Sequence, residues 1–533
     1  MSIRRVAVLY GGLLLAFAVV ACRLYLMAGN TAYASRAAGQ SEVTLELPAW
    51  RGNFYDCDGL PLTGLQEEYY ALCLPGEGSY ARLYDVASEE GQALLYQKRN
   101  SAAPFLLRLS QDVSSLGVYT VLSPRRYCTI PLCVHLLGYL DGEGNGVAGL
   151  EAALESVLAD GKAARLQCTV TGQGRLVDGT EPVYTQPETS GLGVKLTISR
   201  AIQRGVEAVA AETMSTGCIL VLDTATAQVR ASVSLPGYDP ENVSDSLSDP
   251  DSPLLDRTLC AYAVGSVFKP VLAAAALEEG QTGLAIDCPG YTLLDGQVYR
   301  CASGVAHGET DLAGALEKSC NGYFIRLGQS LGAEKVREMA ARLGFGQAVY
   351  LAGGLHAAAG VLPETEQLSS SGTLANFSFG QGELLATPVQ IAGMMNAIAS
   401  DGIYRTPTFL LGTVDEKTGV LVDKPARSAA VQRAFSEDTA ETLRALLCGV
   451  VDEGTGREAA PVYETAGGKT GTAQTGQFTE EGEEKMNLWF AGFYPAEHPA
   501  YTVVVLQDGQ TDPAFSSAKI FSKVCEVLYL LEE

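Results

Sequence analysis

The chain is short of histidine and of positive charge. Four histidines are spread through 533 residues, and the thirteen cysteines are scattered without a single CxxC pair. Zinc sites are commonly announced by such pairs or by closely spaced His and Cys, so neither a metal nor another cofactor is expected. Lysine and arginine number 37 against 61 aspartates and glutamates, a formal net charge of −24. That deficit argues against nucleic acid as a partner and against charge-driven binding to an anionic membrane surface. What the chain has in quantity is apolar residues, 47% of the total, enough for two or three domains with ample cores.

The first long apolar run is Val6 to Cys22, preceded by Arg4 and Arg5 and continued past Arg23 by Leu24 to Ala28. With Arg23 reaching to the interface, it approaches the ~20 residues that a membrane-spanning helix requires. Arginines ahead of the span favour a cytoplasmic N-terminus and an exported remainder. A cleaved signal peptide would want a small-residue site and then polar chain, whereas Arg23 to Met27 stays apolar. Val19, Val20, Ala21 and Cys22 also fit a lipoprotein cleavage box, which would put lipid on Cys22. An uncleaved single-pass anchor over residues 1–28 is the expectation.

From 29 to 190 the pattern mixes short strands, polar turns and one helical patch at Leu150 to Leu158, without a catalytic constellation. A boundary near Gly191 is marked by GLGVKLTIS, a strand leading to a helix cap at Ser199 and an amphipathic helix through Met214. Cys218 to Leu222 and Gln228 to Val233 read as a hairpin. Thr387 and Pro388 are an N-cap and first-turn pair for a helix over Val389 to Ser400. Near the end, Asn487 to Tyr494 and Tyr501 to Leu506 read as strands and Ser517 to Leu531 as a helix. Strands gathered at the start and end of residues 191–533, with helices between, predict an α+β domain with a largely antiparallel sheet.

Three short motifs carry chemistry. In AYAVGSVFKPVLAAAALEEG, Ser266 and Lys269 are three apart at the start of a helix, on one face, and Pro270 is tolerable only in a first turn. A serine beside a lysine is a candidate nucleophile beside its base, and a helix N-terminus favours a developing anion. The pattern alone is weak, since Ser516 and Lys519 repeat it. Ser319, Cys320 and Asn321 form the only SxN, able to relay a proton and hold an amide, although taken alone an ordinary turn or N-cap is the better explanation. Lys469, Thr470, Gly471 and Thr472 read as a strand in which Gly471 leaves an extended peptide room to pair with the backbone. A second KTG at Lys417 to Gly419, beside Asp415 and Glu416, reads as a surface turn.

The order SxxK, SxN, KTG in one exported domain is specific where each motif is not. The chain resembles the class B penicillin-binding proteins, the monofunctional peptidoglycan D,D-transpeptidases. The resemblance extends over nearly the whole length: the anchor, Arg51 to Leu62 (RGNFYDCDGLPL), Arg126 and Tyr127, His135 to Tyr139, Gly149 to Glu151, Leu196 to Gln203, His307 and Gly308, Gly380 to Gly382, and Trp489 to Pro495. Two departures stand out, Val264 where the family usually has proline before Gly265, and Ser199 where it usually has aspartate. The resemblance implies a penicillin-binding transpeptidase fold, an antiparallel sheet with helices on both faces, at 191–533. It also implies a pedestal at 29–190, and roles for individual residues. Ser266 attacks, Lys269 takes its proton, Ser319 relays a proton to the leaving D-alanine and Asn321 positions the donor peptide. Lys469 and Thr472 hold its carboxylate, with Thr470 and Gly471 in the same substrate-binding strand.

That chemistry makes demands. A lysine at its usual pKa of ~10.4 is protonated at neutral pH, so Lys269 has to be depressed by burial and by the charge of Lys469. The N–H groups of Ser266 and Thr472 are the candidate oxyanion donors, each such donor being worth ~3 kcal/mol. A serine β-lactamase is the competing enzyme, but Glu364 and Glu366, between the second and third motifs, lack the asparagine that completes a deacylating loop. A β-lactam sensor or a division scaffold is the non-catalytic alternative, disfavoured by three intact motifs and by the lack of a multi-span portion. No glycosyltransferase is recognisable at 29–190. The resemblance therefore implies a membrane glycan polymerase of the SEDS type and elongation or division machinery as partners, with peptidoglycan stem peptides and β-lactam antibiotics as ligands. Whether Cys288 and Cys301 pair as a disulfide stays open.

Overall fold

The computed structural model describes residues 3–29, 41–74, 79–101, 103–159, 161, 163–173, 175–177, 179–186, 191–424 and 430–532. Ser190, the end that the sequence reading gives to the middle segment, lies outside these. The first element is helix α1 (Ile3–Ala28), in which the most apolar window has a mean hydropathy of 2.1 and none of it is buried by the rest of the chain. A helix of this length and composition can cross a membrane.

Where the sequence reading draws one boundary at Gly191, the compact units interleave. One comprises 1–51, 64–126 and 160–190, and the other 52–63, 127–159 and 191–533. Packing explains this. Phe54 and Tyr55 form a short parallel pairing with Val194 and Lys195, and Leu132, Leu136, Leu150 and Leu158 are buried in the large core of the second unit. The first unit contains α1 and two three-stranded sheets, 42–49 with 163–169 and 183–185, and 105–109 with 66–73 and 120–125. Alternating burial along 163–169, with Ala164, Leu166 and Cys168 inward, gives one of its small cores.

The second unit is built on helix α2 (Arg200–Thr213), strands β1 (Gly217–Asp223) and β2 (Val229–Leu235), helix α3 (Lys269–Glu278), short strands β3 (Ile286–Cys288) and β4 (Gly308–Thr310), and helices α4 (Asn321–Leu331) and α5 (Pro388–Ala399). It closes with strands β5 (Gly467–Phe478), β6 (Glu484–Tyr494) and β7 (Tyr501–Gln510) and helix α6 (Ser517–Glu532). The five long strands form one sheet in the order β2-β1-β7-β6-β5, antiparallel throughout. Both faces are buried, so β7 reads as an unbroken apolar run rather than an alternation. Val503 and Val505 pack with Val206 of α2 and Phe521 of α6. Val504 and Leu506 face the core that holds α3 and α5.

The local signals have identifiable outcomes. Thr387 caps α5 through a reciprocal capping box with Gln390 and with Pro388 in the first turn. Ser199 stands at the N-cap of α2, but its side chain makes no cap bond. The Asp56 carboxylate accepts from Arg200 N at 3.1 Å instead, a donation from 144 residues away that no local pattern announces. The helical patch at Leu150 to Leu158 is two short helices, Gly149–Ala153 and Glu155–Leu158, broken at Leu154.

Candidate active site

Three elements meet around Lys269. The first is the 3₁₀ turn Gly265–Phe268 that leads into α3. A 3₁₀ turn eclipses residues i and i+3, which places Ser266 and Lys269 one above the other at the helix entrance. Every residue of α3 from Lys269 to Ala276 is buried, so the helix is fixed on all sides. Ser266 itself is half-buried while Lys269 is fully buried.

The second element is the turn Ser319–Asn321. Lys269 Nζ donates to Ser319 O at 2.7 Å, to Ser319 Oγ at 3.1 Å and to Asn321 Oδ1 at 2.7 Å. Ser319 holds a left-handed backbone, φ +52°, a conformation that costs a non-glycine residue of order 1 kcal/mol and here turns its carbonyl and hydroxyl onto one amine. The Asn321 carboxamide is fixed from its other end, Nδ2 donating to Arg300 O at 2.9 Å. The structure therefore brings together Ser266, Lys269, Ser319 and Asn321, residues that the sequence leaves more than fifty positions apart at the extremes.

The third element is β5, the edge strand of the sheet. Lys469, Gly471 and Ala473 point inward while Thr472 is exposed and Thr470 half-exposed, the alternation a strand requires. Lys469 and Thr472 consequently lie on opposite faces and do not form one carboxylate clamp. The hydroxyls of Thr470 and Thr472 line the accessible face, with Lys469 fully buried beneath, where its Nζ donates to Thr470 O and Thr470 Oγ1, both at 3.2 Å. Thr470 is held in turn by the Thr455 hydroxyl at 2.9 Å.

Gly471 has a different use from the one its sequence position suggests. A Cβ there would lie 2.8 Å from Val267 Cγ1, so the missing side chain admits the protein's own turn rather than a ligand. Gly265 answers it: at φ +65° its hypothetical Cβ would sit 2.5 Å from Thr472 O. The Thr472 carbonyl thus points to the Gly265–Ser266 turn. In a strand, the N–H and C=O of one residue point the same way, so the Thr472 N–H is directed to that side as well.

Burial, the largest effect on Lys269, pulls its pKa down from 10.5 to about 7. Lys469 is lowered well below its usual value, by burial first and then by the charge of Lys269. The sequence reading gave the task of depressing Lys269 to burial and to the charge of Lys469 together. In the structure burial is what lowers Lys269, and the repulsion registers on Lys469.

The duplicate motifs lie elsewhere. Ser516 bonds the Glu458 carboxylate and accepts from Lys519 N at 3.1 Å, a helix-start contact on an exposed surface. Lys417 and Thr418 donate their backbone N–H groups to Asp415 Oδ1 at 3.0 and 2.8 Å, an exposed turn. Glu364 is tied to Arg337 in an exposed ion pair. One cluster escaped sequence reasoning. Cys288, Cys301, His307 and Cys320 bring their Sγ and ring nitrogen atoms within 4.8 Å of one another, directly behind Asn321. Spacings of 13, 6 and 13 residues gave no signal. All three cysteines are free thiols.

The family model for the penicillin binding protein transpeptidase domain matches residues 217–526, which takes in all three elements. Stage V sporulation protein D of Bacillus subtilis is 31% identical over 74% of this chain, a match that spans 61% of that relative's length. A probable peptidoglycan D,D-transpeptidase, PenA of Neisseria meningitidis, is 26% identical over 95% of this chain and 87% of its own. Among solved structures, penicillin binding protein 3 of Mycobacterium tuberculosis superimposes with a TM-score of 0.65 at 25% identity, covering 92% of this chain and 97% of that one. The chain belongs to the penicillin-binding protein transpeptidase family.

Proposed function

We propose that the chain is a serine-type peptidoglycan D,D-transpeptidase anchored in the cell membrane. The observation that carries this is Lys269. A fully buried amine with a pKa pulled to about 7 sits three residues from a half-exposed serine hydroxyl and is aimed at a second hydroxyl by a 3.1 Å bond. A base near neutrality is what proton abstraction from serine demands.

In the first half-reaction Ser266 Oγ attacks the carbonyl of the D-Ala-D-Ala bond and its proton passes to neutral Lys269. The tetrahedral oxyanion is received by the Ser266 and Thr472 N–H groups, the latter supported by the strand direction at Gly265. Collapse breaks the C–N bond. The proton returns from Lys269 through Ser319 Oγ to the departing nitrogen, and D-alanine leaves. In the second half, the amine of a neighbouring stem peptide attacks the acyl-enzyme, giving its proton back along the same path to Ser266. Asn321 orients the donor peptide, Thr470 and Thr472 bind its terminal carboxylate on the open face of β5, and buried Lys469 holds Thr470 from beneath.

The relatives' names support this substrate class, and a related structure is a complex with aztreonam, which supports β-lactams as acylating ligands of Ser266. Helix α1 supports a single-pass anchor with the N-terminus cytoplasmic, the remainder exported and Cys22 unmodified, and the parts of 29–190 outside the catalytic unit act as a pedestal. With no second catalytic constellation in the described residues, glycan strands come from a separate membrane polymerase of the SEDS type within the elongation or division machinery.

The test is release of D-alanine from a D-Ala-D-Ala stem peptide, together with the lifetime of the penicilloyl adduct. Cross-linked product and a long-lived adduct are expected. Turnover of a chromogenic β-lactam at many per second would identify a β-lactamase, and an adduct without peptide chemistry would identify a sensor. Protease added to spheroplasts should digest the chain beyond about Ala28.

A further inference from the structure

We propose that Gln381 is a built-in competitor for the donor peptide: its carboxamide holds the backbone carbonyl on β5 that an incoming peptide N–H has to take over. β5 ends the sheet, and an edge strand carries a row of N–H and C=O groups that no neighbouring strand satisfies. Such groups alternate along a strand between the partner side and the open side. The Thr472 carbonyl belongs to the row that faces the Gly265–Ser266 turn, since a Cβ on Gly265 would lie 2.5 Å from it. A backbone carbonyl seeks a donor, and Gln381 Nε2 supplies one at 3.4 Å. Because that carbonyl can only accept, the nitrogen of the Gln381 carboxamide is the end turned to it. The side chain thereby imitates a peptide N–H in the place where an added strand would bring its own.

The backbone that carries this side chain is fixed against the nucleophile turn. Gly265 N donates to Gly380 O at 2.8 Å, and Gln381 N donates to Asn376 O at 2.9 Å, at the end of the helix Ser371–Ser378. A Cβ on Gly380 would lie 1.9 Å from Gly265 O, so only glycine lets the loop come this close. Further on, Leu385 and Ala386 pair with Ala263 and Tyr262, which pins the far end of the loop to the segment ahead of Ser266. Motion is thus left to the half-buried Gln381 side chain. Its bond to Thr472 is longer than the ~2.7–3.2 Å usual for N–H···O, and so is easily exchanged. A donor peptide that lies along β5 as a further strand brings an N–H to Thr472 O, and the Gln381 bond gives way to it. The ligand keeps only the difference between the two bonds. A ligand with no group in that place leaves Gln381 where it is and is indifferent to it.

The test removes the donor from each side in turn. Gln381→Met keeps the length of the side chain without its N–H. Benzylpenicillin carries an amide N–H beside its reacting ring, and penicillanic acid is the same ring system with hydrogen in that place. Covalent adducts on the full chain in detergent are followed by mass spectrometry. Benzylpenicillin should acylate Gln381→Met about three- to tenfold faster than wild type, the range for one net hydrogen bond, while penicillanic acid acylates both within about twofold. A merely structural Gln381 would move both ligands alike. Equal changes with the two ligands, no change with either, or slower acylation by benzylpenicillin alone would overturn the competition. Should Gln381→Met fail to fold, the crystal structure of the wild-type benzylpenicilloyl protein decides: the ligand N–H on Thr472 O with Gln381 turned away is expected, and Gln381 still on Thr472 O would overturn it. Since the competition rests on the transpeptidase reading, the two failures differ in kind. An adduct on Ser266 that forms without regard to Gln381 ends the competition alone, whereas no adduct from either ligand ends both.

Discussion

The chain spells two of its motifs twice, and the copies share letters but not surroundings. Ser266 and Lys269 open a helix buried on every side, with the lysine aimed at a hydroxyl of another loop. Ser516 and Lys519 open a helix whose serine bonds an exposed glutamate. Lys469 is fully buried on a strand that presses against the nucleophile turn, whereas Lys417 stands in a turn capped by Asp415. Burial makes the difference. Desolvation turns an ammonium into a base near neutral pH, and neither duplicate lysine is buried.

The comparison can be broken most decisively at the serines. Ser266→Ala should abolish covalent penicillin labelling with an unchanged circular dichroism spectrum, and Ser516→Ala should label as wild type. Labelling that survives the first substitution would end the assignment. At the lysines, Lys469→Ala should slow acylation by about 10²-fold or more, and Lys417→Ala should leave it within twofold. A large loss only in the second would show that the wrong copy was chosen.

The pH profile sharpens the contrast. Lys269 must be neutral to accept a proton, and its pKa is depressed to about 7. Acylation by a β-lactam should therefore level off above about pH 7 and fall roughly tenfold per unit below it. Burial is what lowers Lys269, the repulsion falling on Lys469, so Lys469→Ala should leave that midpoint in place. A midpoint that moves upward would mean that the Lys469 charge shares in the depression. The smallest effect is at the glycines. Gly471→Ala drives a Cβ to 2.8 Å from Val267 Cγ1 and should cost about 1–3 kcal/mol while slowing acylation. Gly419→Ala meets open space at φ +69° and should cost about 1 kcal/mol with acylation unchanged. Thermal unfolding and acylation rates measured on both variants separate the two.

Local chemistry was legible. The cap at Thr387, the terminal hairpin and the alternation at Lys469 to Thr472 each depend on residues within one turn or one pleat, and the order of three motifs carried the family. What could not be read depends on distant chain. The cap of α2 comes from Asp56. Residues 52–63 leave their sequence neighbours because Phe54 pairs beside Val194. Cys288, Cys301, His307 and Cys320 sit at spacings that match no motif and converge only because β3 pairs with β4 next to the start of α4. Gly471 misled for the same reason: nothing in GGKTGT says that Val267 fills the space.

The most direct measurement of the central claim is the site of acylation itself. Full-length protein in detergent is labelled with benzylpenicillin, digested and mapped by tandem mass spectrometry. One penicilloyl group per chain on Ser266 is the expected result. An adduct on Ser516 or Ser319, or none at an antibiotic concentration that labels the related transpeptidases, would contradict it.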